Sequence, residues 1–270
     1  MAPSGRKLVA DSKLDPKSIV TTPYPNHLFQ RLVAKEVTFE NVDFSYSIFD
    51  TCYLRKCVFQ SCNFTGSRFK DSNLHGSSFA GCKFDYAFFD KTFVDPEILK
   101  VGCPGPENLR DRFARTLRTN FQSLGDYTSV NKAVQVELEA KEEHLRKAWR
   151  SKESYYRSKY RGLIRVEMFF AWLNFKAFDY IWGNGESLWK LGRAILAILI
   201  ALSLVDVAVA GRDPLRIPSY LESFARAPVL FFGILGFPEY HPLYLATVLV
   251  VRLVMVAFLI SIIIKRFSRR

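Results

Sequence analysis

From residue 39 a large apolar side chain recurs at every fifth position without a break: Phe39, Phe44, Phe49, Leu54, Phe59, Phe64, Phe69, Leu74, Phe79, Phe84 and Phe89. Two residues before each stands a second column, Val37, Val42, Ser47, Cys52, Cys57, Cys62, Ser67, Ser72, Ser77, Cys82 and Ala87, small throughout apart from two valines. A period of five fits neither the 3.6 of a helix nor the 2 of a flat strand. It marks a repeat architecture in which neighbouring units must bury one another.

The pattern, a small residue, a polar one, Leu or Phe and two variable positions, resembles the pentapeptide-repeat family over roughly Val37 to Val94. The polar position is filled by Asp43, Asn63 and Asn73 but also by Ile48, Tyr53, Val58 and Phe88. The resemblance implies a right-handed quadrilateral β-solenoid with four pentapeptides per coil, so residues twenty apart should stack at about 4.8 Å. Three sides would then carry Phe ladders, Phe39/Phe59/Phe79, Phe44/Phe64/Phe84 and Phe49/Phe69/Phe89, and the fourth Leu54/Leu74. Fewer than three coils are visible this way, with end caps expected at Phe29 to Val33 and Phe93 to Leu99. The solenoid with its caps is assigned to residues 29–103, and residues 1–28 to an N-terminal extension. Five Cys (Cys52, Cys57, Cys62, Cys82, Cys103) without a CxxC pair argue against a disulfide scaffold or zinc module. Within the solenoid Cys62 and Cys82 are expected as stacked, inward-facing, inert thiols.

No catalytic or nucleotide-binding motif is present, and the four His are scattered. Neither an enzyme nor a cofactor or metal is expected. Met1 to Ser12 lacks an apolar stretch of the signal-peptide kind, so the N-terminal half is expected in the cytosol.

After Pro104-Gly105-Pro106, Phe113, Leu117, Phe121 and Leu124 share a helical face ending at Gly125. Thr128 or Ser129 can cap a second, longer helix. In it Val134/Leu145/Tyr156 and Leu138/Trp149/Tyr160 recur every eleven residues, the period of a nearly straight bundle. Residues 104–165 thus read as a cytosolic helical hairpin with a basic end that includes Arg157, Lys159, Arg161 and Arg165. Residues 166–186 follow as an aromatic helix, with Trp172 and Trp182 among seven rings, suited to the membrane surface and to anionic lipid headgroups.

Residues 187–270 contain two apolar runs, Leu188 to Val209 and Leu243 to Ile264. Each is about 33 Å long as a helix, enough to span the hydrocarbon core. Lys190 and Arg193 flank the first and Lys265, Arg266, Arg269 and Arg270 close the second, which places both termini in the cytoplasm. Arg252 falls in the middle of the second run, where a charge costs at least about 2.5 kcal/mol unless it faces protein or water. The stretch from Pro228 to Pro242 is too apolar for an exposed loop and too short for a third span, which suggests a re-entrant half-helix followed by extended chain.

Here the sequence resembles the two-helix pore domain of potassium-channel-like proteins. Gly233, Gly236, Phe237, Pro238 and Glu239 take the filter-like positions, with Pro238 in place of the second filter glycine and Glu239 in place of its Asp. Bacterial pentapeptide-repeat proteins with such a C-terminal domain are similar over roughly residues 35 to 270. That likeness implies a multi-pass protein of the bacterial inner membrane and a homo-oligomer, a tetramer by analogy, that forms a pore or ion channel gated by its cytosolic solenoid through a ligand or protein. The alternative is a non-conducting membrane-anchored scaffold whose solenoid binds a protein partner. Nucleic acid is not an expected partner, and a net charge of +12 does not suit the DNA mimicry of gyrase-binding relatives.

Overall fold

The computed structural model describes residues 5–209, 213, 215–233 and 240–268. The chain divides into two compact units, residues 1–169 and 170–270. The strands are β1 (Lys7–Ala10), β2 (Ile19–Val20), β3 (His27–Gln30), β4 (Val33–Lys35), β5 (Thr38–Glu40), β6 (Ile48–Asp50), β7 (Tyr53–Arg55), β8 (Val58–Gln60), β9 (Arg68–Lys70), β10 (Ser78–Ala80) and β11 (Phe88–Asp90). The helices are α1 (Ile98–Val101), α2 (Glu107–Ser123), α3 (Tyr127–Arg150), α4 (Ser154–Lys159), α5 (Leu163–Trp182), α6 (Leu188–Val209), α7 (Ile217–Phe232) and α8 (Pro242–Ser268).

In the first unit every strand pairing is parallel, and between β3 and β11 each partner lies twenty residues away, as in Phe49 opposite Phe69 and Phe59 opposite Phe79. The ladders stack as the repeat requires, with ring centroids 4.8 Å apart for Phe39/Phe59 and Phe49/Phe69 and planes within 6°. The coil turns its corners through one left-handed residue per pentapeptide. These include Arg31, Glu36, Asn41, Tyr46, Thr51, Lys56 and Ser61, then Gly66 and so on to Lys91. Most are not glycine, so the ladders overcome a steric cost of about 1–2 kcal/mol at each such corner.

The small column explains why Cys and Ser interchange there. The Ser72 and Ser77 hydroxyls donate to the carbonyls of Phe49 and Leu54, twenty-three residues back (3.1 and 2.7 Å). The Cys52, Cys57, Cys62 and Cys82 thiols donate to Phe29, Ala34, Phe39 and Phe59 in the same geometry. All four cysteines are buried. Burial pushes the Cys52 thiol up to about 11 and raises Cys57, while Cys82 is raised by its neighbour Cys62 and by burial. These thiols hold adjacent coils together.

The solenoid begins earlier than the unbroken period indicates. The strand order β1-β3-β6-β9-β11 gives five rungs on one side, and so about four turns, with β1 and β2 inside the stretch expected to be an extension. The first coil hides in the sequence because its rungs are Val9, Leu14, Val20 and Tyr24, and Val20 lies nineteen residues before its partner Phe39. Phe29, expected in a cap, is a ladder member stacked on Phe49 at 4.9 Å.

The C-terminal end is closed by helices. Buried Ile98 and Leu99 of α1 join the core, and Phe113 of α2 packs on Phe84 and Phe89. Asn120 supplies the rung that the next coil would have provided: its Oδ1 accepts from the Thr92 N–H (2.7 Å) and its Nδ2 donates to the Thr92 carbonyl (2.8 Å). Asn120→Leu keeps the volume but orphans both backbone groups, at an expected cost of about 2 kcal/mol. Hydrogen exchange at Thr92 should accelerate accordingly; exchange at the wild-type rate would remove Asn120 from the cap.

Helices α2 and α3 form the expected hairpin, but its details differ. Asp126 is the cap of α3, accepting from the Ser129 N–H, so neither Thr128 nor Ser129 serves. The second helix stops at Arg150, where Ser151 turns extended (ψ 149°), and the eleven-residue rows break there. Tyr156, carried back by α4, donates from its hydroxyl to Glu107 at the start of α2 (3.0 Å). Val130, Ala133, Ala140 and Ala148 make a seam of small residues on α3, and Arg110–Glu143 (2.9 Å) and Arg118–Glu137 (2.6 Å) flank the contact of α2 with α3.

In the second unit α6 and α8 run antiparallel. On α8, Tyr244, Val248, Val251, Met255, Phe258 and Ile262 alternate steps of four and three, and on α6 Leu188, Leu191, Ile195, Ile198 and Leu202 do the same. These rows are the inward faces of the two helices, which share one apolar cluster with α7 and the end of α5. The remaining faces stay apolar and uncovered, including Leu196, Ile200 and Leu204 on α6 and Leu249, Leu253 and Ile260 on α8. Both helices are long and apolar enough to cross a membrane, with mean hydropathies of 2.2 and 2.8.

Candidate functional site

The helical unit is ordered by polar contacts at three levels. At one end Lys190 pairs with Asp179 (2.7 Å), Arg193 donates to the Tyr180 carbonyl (3.0 Å) with its guanidinium 4.4 Å from that ring, and Lys265 faces Glu186 (3.6 Å). Trp182 of α5 stacks on Phe258 of α8 with centroids 4.2 Å apart. Lys190, Arg193 and Lys265, three of the cations that flank the apolar runs, are therefore partnered.

At the opposite end Asp206, near the end of α6 and buried, accepts a hydrogen bond from the Tyr240 hydroxyl just before α8. Between the two levels lies α7. Its buried face, Ser223, Ala227, Leu230 and Phe231, places two small residues four apart, the spacing that lets apolar helices approach closely. The Ser203 hydroxyl on α6 donates to the Tyr220 carbonyl near the start of α7 (3.3 Å).

The end of α7 meets the middle of α8. Gly233 takes the left-handed conformation (φ 66°) that terminates α7, and a Cβ there would run into the Arg252 guanidinium. Arg252 donates to the Phe232 carbonyl at 2.7 Å, placing its positive charge on the negative end of the helix dipole. Arg252 lies ten residues into α8, about 15 Å along its axis. Helix α7 thus starts near the Asp206 end of the pair and finishes halfway along it, and the chain is back at the Asp206 end by Tyr240.

Of the residues singled out in sequence, this brings Gly233 and Arg252 together, with Arg252 as a helix-capping donor. Gly236, Phe237, Pro238 and Glu239 lie outside the described residues. The helix expected to begin at Pro228 begins at Ile217, leaving Pro228 as an interior proline that cannot donate to the preceding turn. Among the basic residues of the first unit, Arg157, Lys159 and Arg161 are exposed. Lys159 donates to the Tyr155 hydroxyl (3.1 Å), and half-buried Arg165 donates to the Trp149 carbonyl (2.5 Å). Trp172 and Trp182 are half-buried on α5. Sequence reasoning missed the Asp206–Tyr240 and Ser203–Tyr220 contacts. A lone Asp at the end of an apolar run was the available signal.

Comparison with known families agrees with the geometry of the first unit: the family model described as "Pentapeptide repeat region" matches residues 34–95. Residues 34–95 form a pentapeptide-repeat region. Solved pentapeptide-repeat structures similar to the chain include one from the cyanobacterium Cyanothece 51142, with 10% identity over 33% of this chain and 80% of that one and a TM-score of 0.18. A second, from the Arabidopsis thaliana thylakoid lumen, has 13% identity over 35% and 75% and a TM-score of 0.16. The plasmid-mediated fluoroquinolone resistance protein QnrB1 has 18% identity over 33% and 54% and a TM-score of 0.15. No curated protein matches the chain. Among the described residues no group of His, Cys, Asp or Glu could hold a metal ion.

Proposed function

We propose that this pentapeptide-repeat protein is a non-enzymatic, two-span protein of the bacterial inner membrane. In this reading the second unit assembles as a homotetramer into a cation-conducting pore, and the cytosolic solenoid receives the ligand or protein that governs it. The observation that carries the proposal is the path of α7, a 16-residue helix that stops halfway along two apolar helices with its last carbonyl held by Arg252. In a bilayer this is a re-entrant segment. Backbone that ends at membrane depth is tolerated where it is buried in protein or lines an aqueous path. A single pair of spans cannot enclose such a path, hence the oligomer. Arg157, Lys159, Arg161 and Arg165, with Trp172 and Trp182, would meet anionic headgroups.

Two experiments test this reading. Cysteine at Leu215 should react with an impermeant maleimide added outside intact cells, whereas cysteine at Lys7 should not; the reverse pattern would overturn the orientation. In planar bilayers the purified protein should pass cations with little discrimination between potassium and sodium. Pro238 fixes φ near −65° and lacks the N–H that would anchor a filter of successive carbonyls, and a ring of Glu239 would enrich cations without sizing them. Glu239→Gln should reduce the current and the cation preference. Current no greater than that of protein-free bilayers would reject the pore and leave the membrane-anchored scaffold.

A further inference from the structure

The two ends of the solenoid are finished differently. At the C-terminal end Phe113 covers the last Phe rungs. Towards the N-terminal end the bore contains a cavity of about 160 Å³, lined by residues that include Val9, Leu14, Tyr24, Phe29, Leu32 and Phe39.

Its origin can be read from the ladders. The column that begins at Val9 continues with Phe29, Phe49, Phe69 and Phe89, so the first rung lacks a ring that the others have. The Leu column runs Leu14, Ala34, Leu54, the first step set by the bridge of Lys13 to Val33 and the second by the pairing of Ala34 with Leu54. A missing ring and a missing isobutyl group therefore fall in adjacent coils of one bore. The wall is made of Phe, Leu and Val carbons, and its polar side chains are Ser12 and Tyr24. The Ser12 hydroxyl is engaged with the Ala10 carbonyl (3.1 Å). An apolar space of about 150 Å³ is large enough to accept one benzene-sized molecule. Parallel Phe rings at the 4.8–5.2 Å spacing of the ladders offer stacking faces that favour an aromatic guest over an alkyl one.

We propose that this cavity is a binding site for a small uncharged molecule built on a single aromatic ring. The site belongs to the solenoid and does not depend on the membrane reading of the second unit.

The test uses the full chain in detergent, with benzene as the probe. At about ten times its dissociation constant, benzene should slow hydrogen exchange of the amides in Lys7–Gln30 about tenfold, because it binds only the closed coils. Ala34→Leu and Val9→Phe, each restoring the residue its column carries elsewhere, should abolish the effect; unaltered exchange in β6 to β9 would show that the variants still fold. Unchanged exchange in the wild type overturns the proposal. Equal slowing in wild type and both variants also overturns it, since benzene in the micelle acts on all three alike. Xenon NMR of the wild type supplies a readout that needs no variant: a saturable bound signal that transfers magnetisation to the Val9 and Leu14 methyls is expected, and its absence rejects the site.

Discussion

Phe64→Ala is expected to lower the melting temperature of the solenoid sharply, to the point of unfolding it if its stability lies at the low end of the usual range. Phe64 is wholly buried and stands in mid-ladder, stacked on Phe44 at 5.2 Å and on Phe84 at 5.0 Å, with Phe59 edge-on at 5.4 Å. Removing such a ring loses its transfer energy and leaves a cavity that parallel coils cannot close, together about 3–5 kcal/mol. In a stacked repeat the damage is not local, because each coil is stabilised mainly by its neighbours and a central rung joins the two halves. Against a total stability of about 5–15 kcal/mol that loss removes a large part of the margin. The β signal in circular dichroism should melt at a much lower temperature than in wild type. An unchanged melting temperature would contradict the ladder assignment.

Lys147→Met should destabilise the helical part of the first unit. The Glu107 side chain, 8% exposed, pairs with Lys147 and accepts from the Tyr156 hydroxyl. Half-buried His144 contacts both Tyr160 (3.0 Å) and Tyr156 (3.4 Å). Removing the ammonium strands a buried carboxylate among these rings, and because Lys147 is itself partly exposed the cost is about 1–3 kcal/mol, below that of a fully buried pair. The double variant Glu107→Gln/Lys147→Met should recover most of the loss, since it removes both charges together. If the double variant were as unstable as the single one, the pair would not be the cause.

The same cluster sets an acid limit. Burial opposes ionisation of Glu107, but the hydrogen bonds from Lys147 and Tyr156 outweigh it and hold its carboxyl below the usual range. Its contribution is therefore fully present above the unfolded-state value of about 4.3 and is lost as pH falls through the lower folded value. Burial, then the nearby Lys159, pushes His144 down as well. Below about pH 6.5 the unfolded chain takes up that proton first, so stability starts to decline there and declines again below about 4.3. Thermal melts of Glu107→Gln/Lys147→Met should lack the lower step. Its persistence would assign that step to other carboxylates.

The five-residue period determined the coil, its inward columns and their stacking distance, because a residue that recurs once per side can be buried only by the residue one coil away. The two apolar runs likewise determined α6 and α8 to within a few residues, since a run of that length and hydropathy has few other folds open to it. Where the first coil starts was decided by tertiary structure. Val9, Leu14 and Tyr24 keep the five-residue step, but Val20 falls one residue out of it and Ala34 is too small to mark it, so these residues are fixed as rungs only when β3 and β5 present edges to pair with. Asn120 as the closing rung and Tyr156 on Glu107 depend on contacts between segments 28 and 49 residues apart, for which no local pattern exists. Arg252 was legible as an anomaly, but its partner was not. A charge in an apolar run announces that something must satisfy it, and only the packing of α7 against α6 and α8 decides that this is the carbonyl of Phe232.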